Sequence, residues 1–114
     1  MDLFNEIEQK IKELNIAIRS LRKTGSEYAE AYTQYRIKLA QKLVELKNNG
    51  MPVTIAYDVA RGDKEIAKAK YDEIVKEAIY KANQEAINTL KLQIRVIESQ
   101  LSREWSNTKW SLKK

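Results

Sequence analysis

An all-α fold is what this sequence predicts, and three observations predict it. Turn formers are scarce, with 3 Gly and 1 Pro in 114 residues. Strong helix formers (Ala, Leu, Lys, Glu, Gln) dominate the composition. Apolar residues recur at steps of three and four along most of the chain, which gathers them on one side of an α-helix. The architecture expected is an antiparallel helical hairpin over 1–50, a short elbow helix over 51–62, one long helix over 63–105 and a basic tail over 106–114. Coiled-coil-like packing and a homodimer complete the expectation.

The first helix is read as Leu3 to Lys23. Phe4, Ile7, Ile11, Leu14, Ile18 and Leu21 follow a/d spacing. Asp2 is placed to cap its start, and Arg19, Arg22 and Lys23 suit its C-terminal end. Thr24-Gly25 is expected to end it, with Gly25 in the left-handed position after the last turn. Ser26-Glu27 then starts a second helix with Tyr28, Ala31, Tyr32, Tyr35, Leu39, Leu43 and Leu46 on its apolar face. So short a link makes the two helices antiparallel neighbours. Asn48-Asn49-Gly50 stops the second helix.

Pro52 fits the first turn of an elbow helix whose apolar residues are Val53, Ile55, Ala56, Val59 and Ala60. Gly62 closes it and Asp63 caps the long helix. The stripe of that helix is read as Ala67, Tyr71, Ile74, Ala78, Ala82, Ala86, Leu90, Ile94, Ile97, Leu101 and Trp105. A single helix over this stretch is ~60 Å long, about twice the width of a small domain. The hairpin covers part of the stripe, and the stretch from Leu90 to Trp105 is assigned to a second copy. Beyond Trp105, Ser106-Asn107-Thr108 weakens the helical signal, and fraying is expected unless a partner orders the tail.

Composition narrows the functional classes. With 0 His and 0 Cys, the commonest general base, the thiol nucleophile and the commonest zinc ligands are absent. No phosphate-binding loop or activated Ser is present. An enzyme is not predicted, nor a cofactor or metal site. Asp72, Glu73 and Glu77 form an acidic group, read as a solvated face because no acid falls within the expected apolar stripe. Arg61-Gly62-Asp63 spells an adhesive tripeptide, but each residue has a local structural role instead. No apolar run reaches the length of a membrane span. Met1 to Ile7 carries Asp2 and Glu6 and no basic segment, so no secretory signal is expected. The expected location is the cytoplasm.

Net charge is +5. From Lys91 to Lys114 there are six cations against Glu98 and Glu104, whereas Tyr71 to Leu90 is net acidic. Trp105 and Trp110 sit among those cations, a pattern that suits stacking on unpaired bases or a protein hot spot. The candidate binding residues are therefore Lys91, Arg95, Arg103, Lys109 and Trp110. A helix-turn-helix centred on Leu43 to Ala56, with Lys64, Lys68 and Lys70 at the reading helix, is the competing DNA-binding pattern. The unbroken helix that follows favours a structural elbow.

Several stretches resemble uncharacterised small proteins encoded by phages and prophages of Gram-positive bacteria. They are Ile18-Arg19-Ser20-Leu21-Arg22-Lys23-Thr24-Gly25, Tyr28-Ala29-Glu30-Ala31, Gly50-Met51-Pro52-Val53-Thr54, Ala60-Arg61-Gly62-Asp63, and the run from Ala86-Ile87-Asn88 through Gln93-Ile94-Arg95 to Arg103-Glu104-Trp105. The likeness covers nearly the whole chain and transfers no functional residue. It implies an accessory protein acting inside the bacterial host cell. The expectation is a non-enzymatic interaction protein that binds a host or phage protein, as an inhibitor of a host defence system or an accessory in replication or recombination. The alternative is nucleic-acid binding through the basic C-terminal end.

Overall fold

The structure, a computed structural model, describes the backbone of residues 2–112 and the side chains of residues 2–108. Among these residues there are three helices and no strand: α1 (Leu3–Asn48), α2 (Val53–Gly62) and α3 (Lys64–Leu112). They form two compact units, one of Met1–Leu21 with Ala82–Lys114, the other of Arg22–Lys81.

The termini of the helices follow local chemistry. The Phe4 N–H donates to Asp2 Oδ1 at 3.0 Å, and the Glu6 N–H to the Asp2 carbonyl at 3.0 Å, which caps α1. At its other end Gly50 has φ +84°. The Gly50 N–H donates to the Lys47 carbonyl and the Met51 N–H to the Leu46 carbonyl, each at 3.0 Å. These are the paired bonds of a Schellman motif, which needs a left-handed residue where Gly50 stands. Pro52 precedes α2, and its carbonyl accepts from the N–H groups of Ile55 and Ala56.

Asp63 alone joins α2 to α3. Its N–H donates to the Ala60 carbonyl at 3.1 Å, and its carbonyl accepts from the Ala67 N–H at 2.8 Å. Its Oδ1 accepts from the N–H groups of Glu65 and Ile66 at 3.0 and 3.4 Å. Its Oδ2 lies 3.5 Å from the Lys42 ammonium. Partial burial works against ionisation. The two N–H bonds and Lys42 outweigh it and hold the carboxyl below its usual range.

The predicted hairpin is corrected: α1 runs through Thr24-Gly25-Ser26 without a turn. Glycine inside a helix costs only about 1 kcal/mol relative to alanine, which packing readily offsets. Here the missing side chain has a packing role. A Cβ on Gly25 would stand 3.0 Å from Tyr80 Cε1. Tyr80 in turn packs on Tyr28, with ring centroids 5.9 Å apart.

In the second unit the contacts run in opposite directions along the two long helices. Lys42 meets Asp63, Tyr35 meets Lys70, Tyr28 meets Glu77, and Gly25 meets Tyr80. The two helices are therefore antiparallel there. Tyr35, Leu39 and Leu46 of α1, Ala56 and Ala60 of α2, and Ile66 and Ala69 of α3 form the core, with Leu43 and Met51 against it. Only the alanines of α2 are buried, and their size lets that helix lie close. Val53, Ile55 and Val59 stay exposed.

In the first unit the start of α1 covers α3 from Asn83 to Leu101. Ile94 and Ile97 are buried and Leu90 and Leu101 half-buried. This corrects the assignment of Leu90–Trp105 to a second copy; Trp105 alone of that stripe stays open, at 71% exposed. Because α1 does not turn at Gly25, the chain covers the stretch itself. The Asn83 side-chain amide donates to the Ala17 carbonyl at 2.9 Å and ties the two segments together.

The expected stripe is also corrected in its first half. Ala67, Tyr71, Ile74, Ala82 and Ala86 are exposed, while Ile66, Ala69, Glu73, Tyr80, Asn83 and Ile87 are buried or half-buried. The cause is geometric. Consecutive steps of four, as in Ile74, Ala78, Ala82, Ala86, Leu90, advance ~40° each, so the row spirals around the helix. The covered row alternates threes and fours. Finally, α3 continues past Ser106-Asn107-Thr108 to Leu112, beyond the expected end at Trp105.

Two measurements check these assignments. Gly25→Ala should gain the roughly 1 kcal/mol of helix propensity only when Tyr80 is also replaced by Ala. In the wild-type background the Tyr80 ring should oppose it. Equal gains in both backgrounds, by urea unfolding, would contradict the contact. Asp63→Ala should lower the melting temperature at neutral pH. A depressed carboxyl stabilises fully above its unfolded value of ~3.9 and loses that effect as pH falls through its lower folded value. The gap between wild type and variant should therefore close in acid.

Candidate interaction site

Along the α1–α3 contact of the second unit, ionic and aromatic groups replace part of an apolar core. Glu73 is 4% exposed. This corrects the reading of Asp72, Glu73 and Glu77 as one solvated face: Glu73 sits in the covered row, seven residues after Ile66. Its Oε2 lies 2.8 Å from Lys70 Nζ but accepts no well-directed hydrogen bond. Lys70 also stands 4.8 Å from the Tyr35 ring centroid. The Glu73 carboxylate holds its ammonium above the usual range, with partial burial pulling the other way.

One turn on, Glu77 Oε1 is 2.6 Å from Lys81 Nζ, and Glu77 Oε2 accepts from the Tyr28 hydroxyl at 3.2 Å. Lys81, then Tyr28, lower the Glu77 carboxyl, and Glu77 raises Lys81 in return. The Tyr28 hydroxyl is raised by burial and then by Glu77. These groups satisfy one another, so none is poised as a free acid or base. Among the described residues no group of three His, Cys, Asp or Glu side chains could hold a metal ion.

Beside them runs an apolar groove of about 450 Å³, lined by Tyr35, Arg61, Ile66, Ala67, Lys70, Tyr71 and Ile74. Tyr71 is 67% exposed at its edge, and Ile74 is also open. Arg61 packs over the Tyr57 ring at 5.7 Å and forms no ion pair among the described residues. The lining is aromatic and aliphatic with two cations and no carboxylate. A larger hollow of about 650 Å³ between the same helices is lined by Glu27, Glu30, Asp72, Lys38, Lys68 and Lys76, among others. Charges of both signs make that one a solvated surface.

The sequence-predicted binding residues do not gather. Lys91, Arg95 and Arg103 are exposed on α3, all in the first unit. Lys91 and Arg95 are one turn apart, and Arg103 lies ~80° further round the helix from Arg95. The side chains of Lys109 and Trp110 lie outside the described residues. The first unit also contains Asp2, Glu6, Glu8 and Glu13, so it has nine cations against seven anions, while the second has twelve against nine. The basic excess of the C-terminal stretch is thus largely offset within its own unit. The groove was missed because Tyr71 and Ile74 had been assigned to the buried stripe. Their place in a run that drifts by fours was the signal that they face outward.

No family model, curated protein or solved structure matches the chain. No helix among the described residues is long and apolar enough to cross a membrane.

The Lys70–Glu73 pair gives an asymmetric expectation. Breaking an ion pair is costly when it leaves a buried charge uncompensated; Lys70 is half exposed and Glu73 is buried, so only loss of the lysine does that. Glu73→Met should therefore hold or raise stability in urea unfolding. Lys70→Met, which strands the carboxylate, should lower it. Equal losses from both would show that the pair itself is stabilising.

Proposed function

We propose that this chain is a non-enzymatic interaction protein whose helices pair in coiled-coil fashion, that it works as a homodimer, and that it binds an acidic, apolar segment of another protein in the groove of its second unit. The observation that carries the reading is the amount of apolar surface left open. In the first unit Phe4, Ile11, Ile16, Ile18, Leu92, Val96 and Trp105 are exposed, against three buried apolar residues, Ile87, Ile94 and Ile97. So high a share of open apolar side chains against so few buried ones suits surfaces that are covered by a partner. The occupant of the groove follows from its lining: Tyr35, Tyr71 and Ile74 suit an apolar anchor, and Arg61, with no carboxylate of its own, suits an acidic neighbour.

The resemblance to phage and prophage proteins supports a partner from the phage or its bacterial host. Inhibition of a host defence system and assistance in replication or recombination are the two roles it suggests. The second reading is nucleic-acid binding through Lys91, Arg95 and Arg103. It is favoured by the placement of Lys91 and Arg95 one turn apart, neither of them in an ion pair among the described residues.

A photo-crosslinking residue at position 74, introduced in a Gram-positive host, should give a protein adduct of one defined mass. The same residue at position 34, which lines the hollow of mixed charge and not the groove, should not. Adducts of the same pattern from both positions would overturn the groove. In parallel, labelled single- and double-stranded oligonucleotides should show no tight anisotropy signal. Tight binding that falls steeply with salt, as counterion release requires, and disappears in Arg95→Gln/Arg103→Gln would establish the second reading instead.

A further inference from the structure

The first unit carries a second apolar row on α1, and its arrangement says what covers it. Phe4, Ile11 and Ile18 are spaced by sevens, so they share one edge of the helix with only ~20° of drift at each step. They are 66%, 42% and 45% exposed. The row that α3 covers is a different one: Leu3, Ile7, Leu14 and Leu21 are half-buried. A filled seam with a heptad-spaced apolar edge beside it is the pattern of a helix with two helical neighbours. Within its unit α1 has one.

Charge selects the second neighbour. On the outer side of the row, Glu8 stands in its first half and Arg19 at its far end. Neither forms an ion pair among the described residues, and the Arg19 Nε–H only returns to the Asn15 carbonyl of its own helix at 3.3 Å. A second α1 laid antiparallel, with Ile11 against Ile11, sets Phe4 against Ile18 of the other copy. It also brings the acidic half of each helix beside the basic end of the other. A parallel two-fold arrangement sends the Glu8 and Arg19 side of each helix to opposite sides of the contact, so these charges do not meet. The row is thus complementary to itself under a two-fold axis, as an isologous interface must be. Among the described residues, no other apolar surface of this unit repeats by sevens with opposite charges at its two ends. Leu92 and Val96 line a hollow of about 420 Å³ together with Glu6, Lys10, Gln93 and Gln100, and Ile16 stands alone.

We infer that α1 pairs antiparallel with α1 of a second copy of this chain, across Phe4, Ile11 and Ile18. The inference rests on the homodimer reading above and names its surface. Sedimentation equilibrium on the full chain tests it. Wild type should be a dimer, and Ile11→Lys should weaken self-association by about 30-fold or more, as loss of a central apolar contact does. Ile16→Lys, ~140° round the helix from Ile11, should leave the dimer intact. Glu8→Arg and Arg19→Glu should each weaken it, and the double variant should restore it. These exposed substitutions keep the test decisive if Ile11→Lys loses helicity by circular dichroism. A dimer that neither Ile11→Lys nor the charge variants disturb would overturn this surface and leave the homodimer standing. A monomer at every concentration would overturn both.

Discussion

The missing side chain at Gly25 is the constraint on which much of this structure depends. A Cβ there would stand only 3.0 Å from Tyr80 Cε1, and Tyr28 packs on the same ring. Because the glycine is spent on that contact, it does not turn the chain, and α1 continues from Leu3 to Asn48. The consequences spread outward. The start of α1 becomes available to cover Ile94 and Ile97, and the apolar stretch that otherwise calls for a second chain is covered by the first. Reversal of direction then falls to Gly50, Pro52 and Asp63. Each has the special backbone or capping chemistry that Gly25, in an ordinary helical conformation, does not show.

The polar groups within the contact between α1 and α3 fix how the helices align. A purely apolar seam of three–four spacing tolerates a slip of one heptad, since one layer looks much like the next. Glu77 and Asn83 do not tolerate it, because their partners on α1 are the Tyr28 hydroxyl and the Ala17 carbonyl. A slip strands the Tyr28 and Ala17 contacts and leaves polar groups facing aliphatic ones, at a cost of kilocalories for each buried group. The core gives up some apolar burial in exchange for one register.

Much of the punctuation was legible in the sequence. Asp2, Gly50 and Asp63 were read as cap, stop and cap because their chemistry is local: each acts on backbone groups within a few residues. The short α2 and the helical nature of most of the chain were legible for the same reason, although the weak local signal of Ser106-Asn107-Thr108 did not show that α3 continues to Leu112. The other failures concern tertiary contacts. Whether Gly25 turns or continues depends on Tyr80, fifty-five positions away. Whether Glu73 is solvated depends on which of two competing rows on α3 meets α1, and alanine-rich stretches leave that choice open. The groove at Tyr71 and Ile74 stayed hidden behind the same error, since a residue assigned to the core is not considered for the surface. The basic residues Lys91, Arg95 and Arg103 were placed on the right helix. Charge summed along one segment, however, ignored the acids that α1 brings into the same unit.

That last point bears on what kind of partner the protein suits. Electrostatic attraction to a phosphate backbone needs cations gathered on one surface, with few anions among them. Here the anions are interleaved, and the two units have nearly the same small positive excess. What is concentrated instead is apolar surface: the edge of α1 at Phe4, Ile11 and Ile18, and the groove at Tyr71 and Ile74. Each carries a charge beside it, Glu8 and Arg19 in the first case and Arg61 in the second. An apolar patch supplies affinity, and an unpaired charge at its rim decides orientation and partner. An open apolar edge and an open apolar groove, each with a charge at its rim, are the features on which the proposed interaction reading rests.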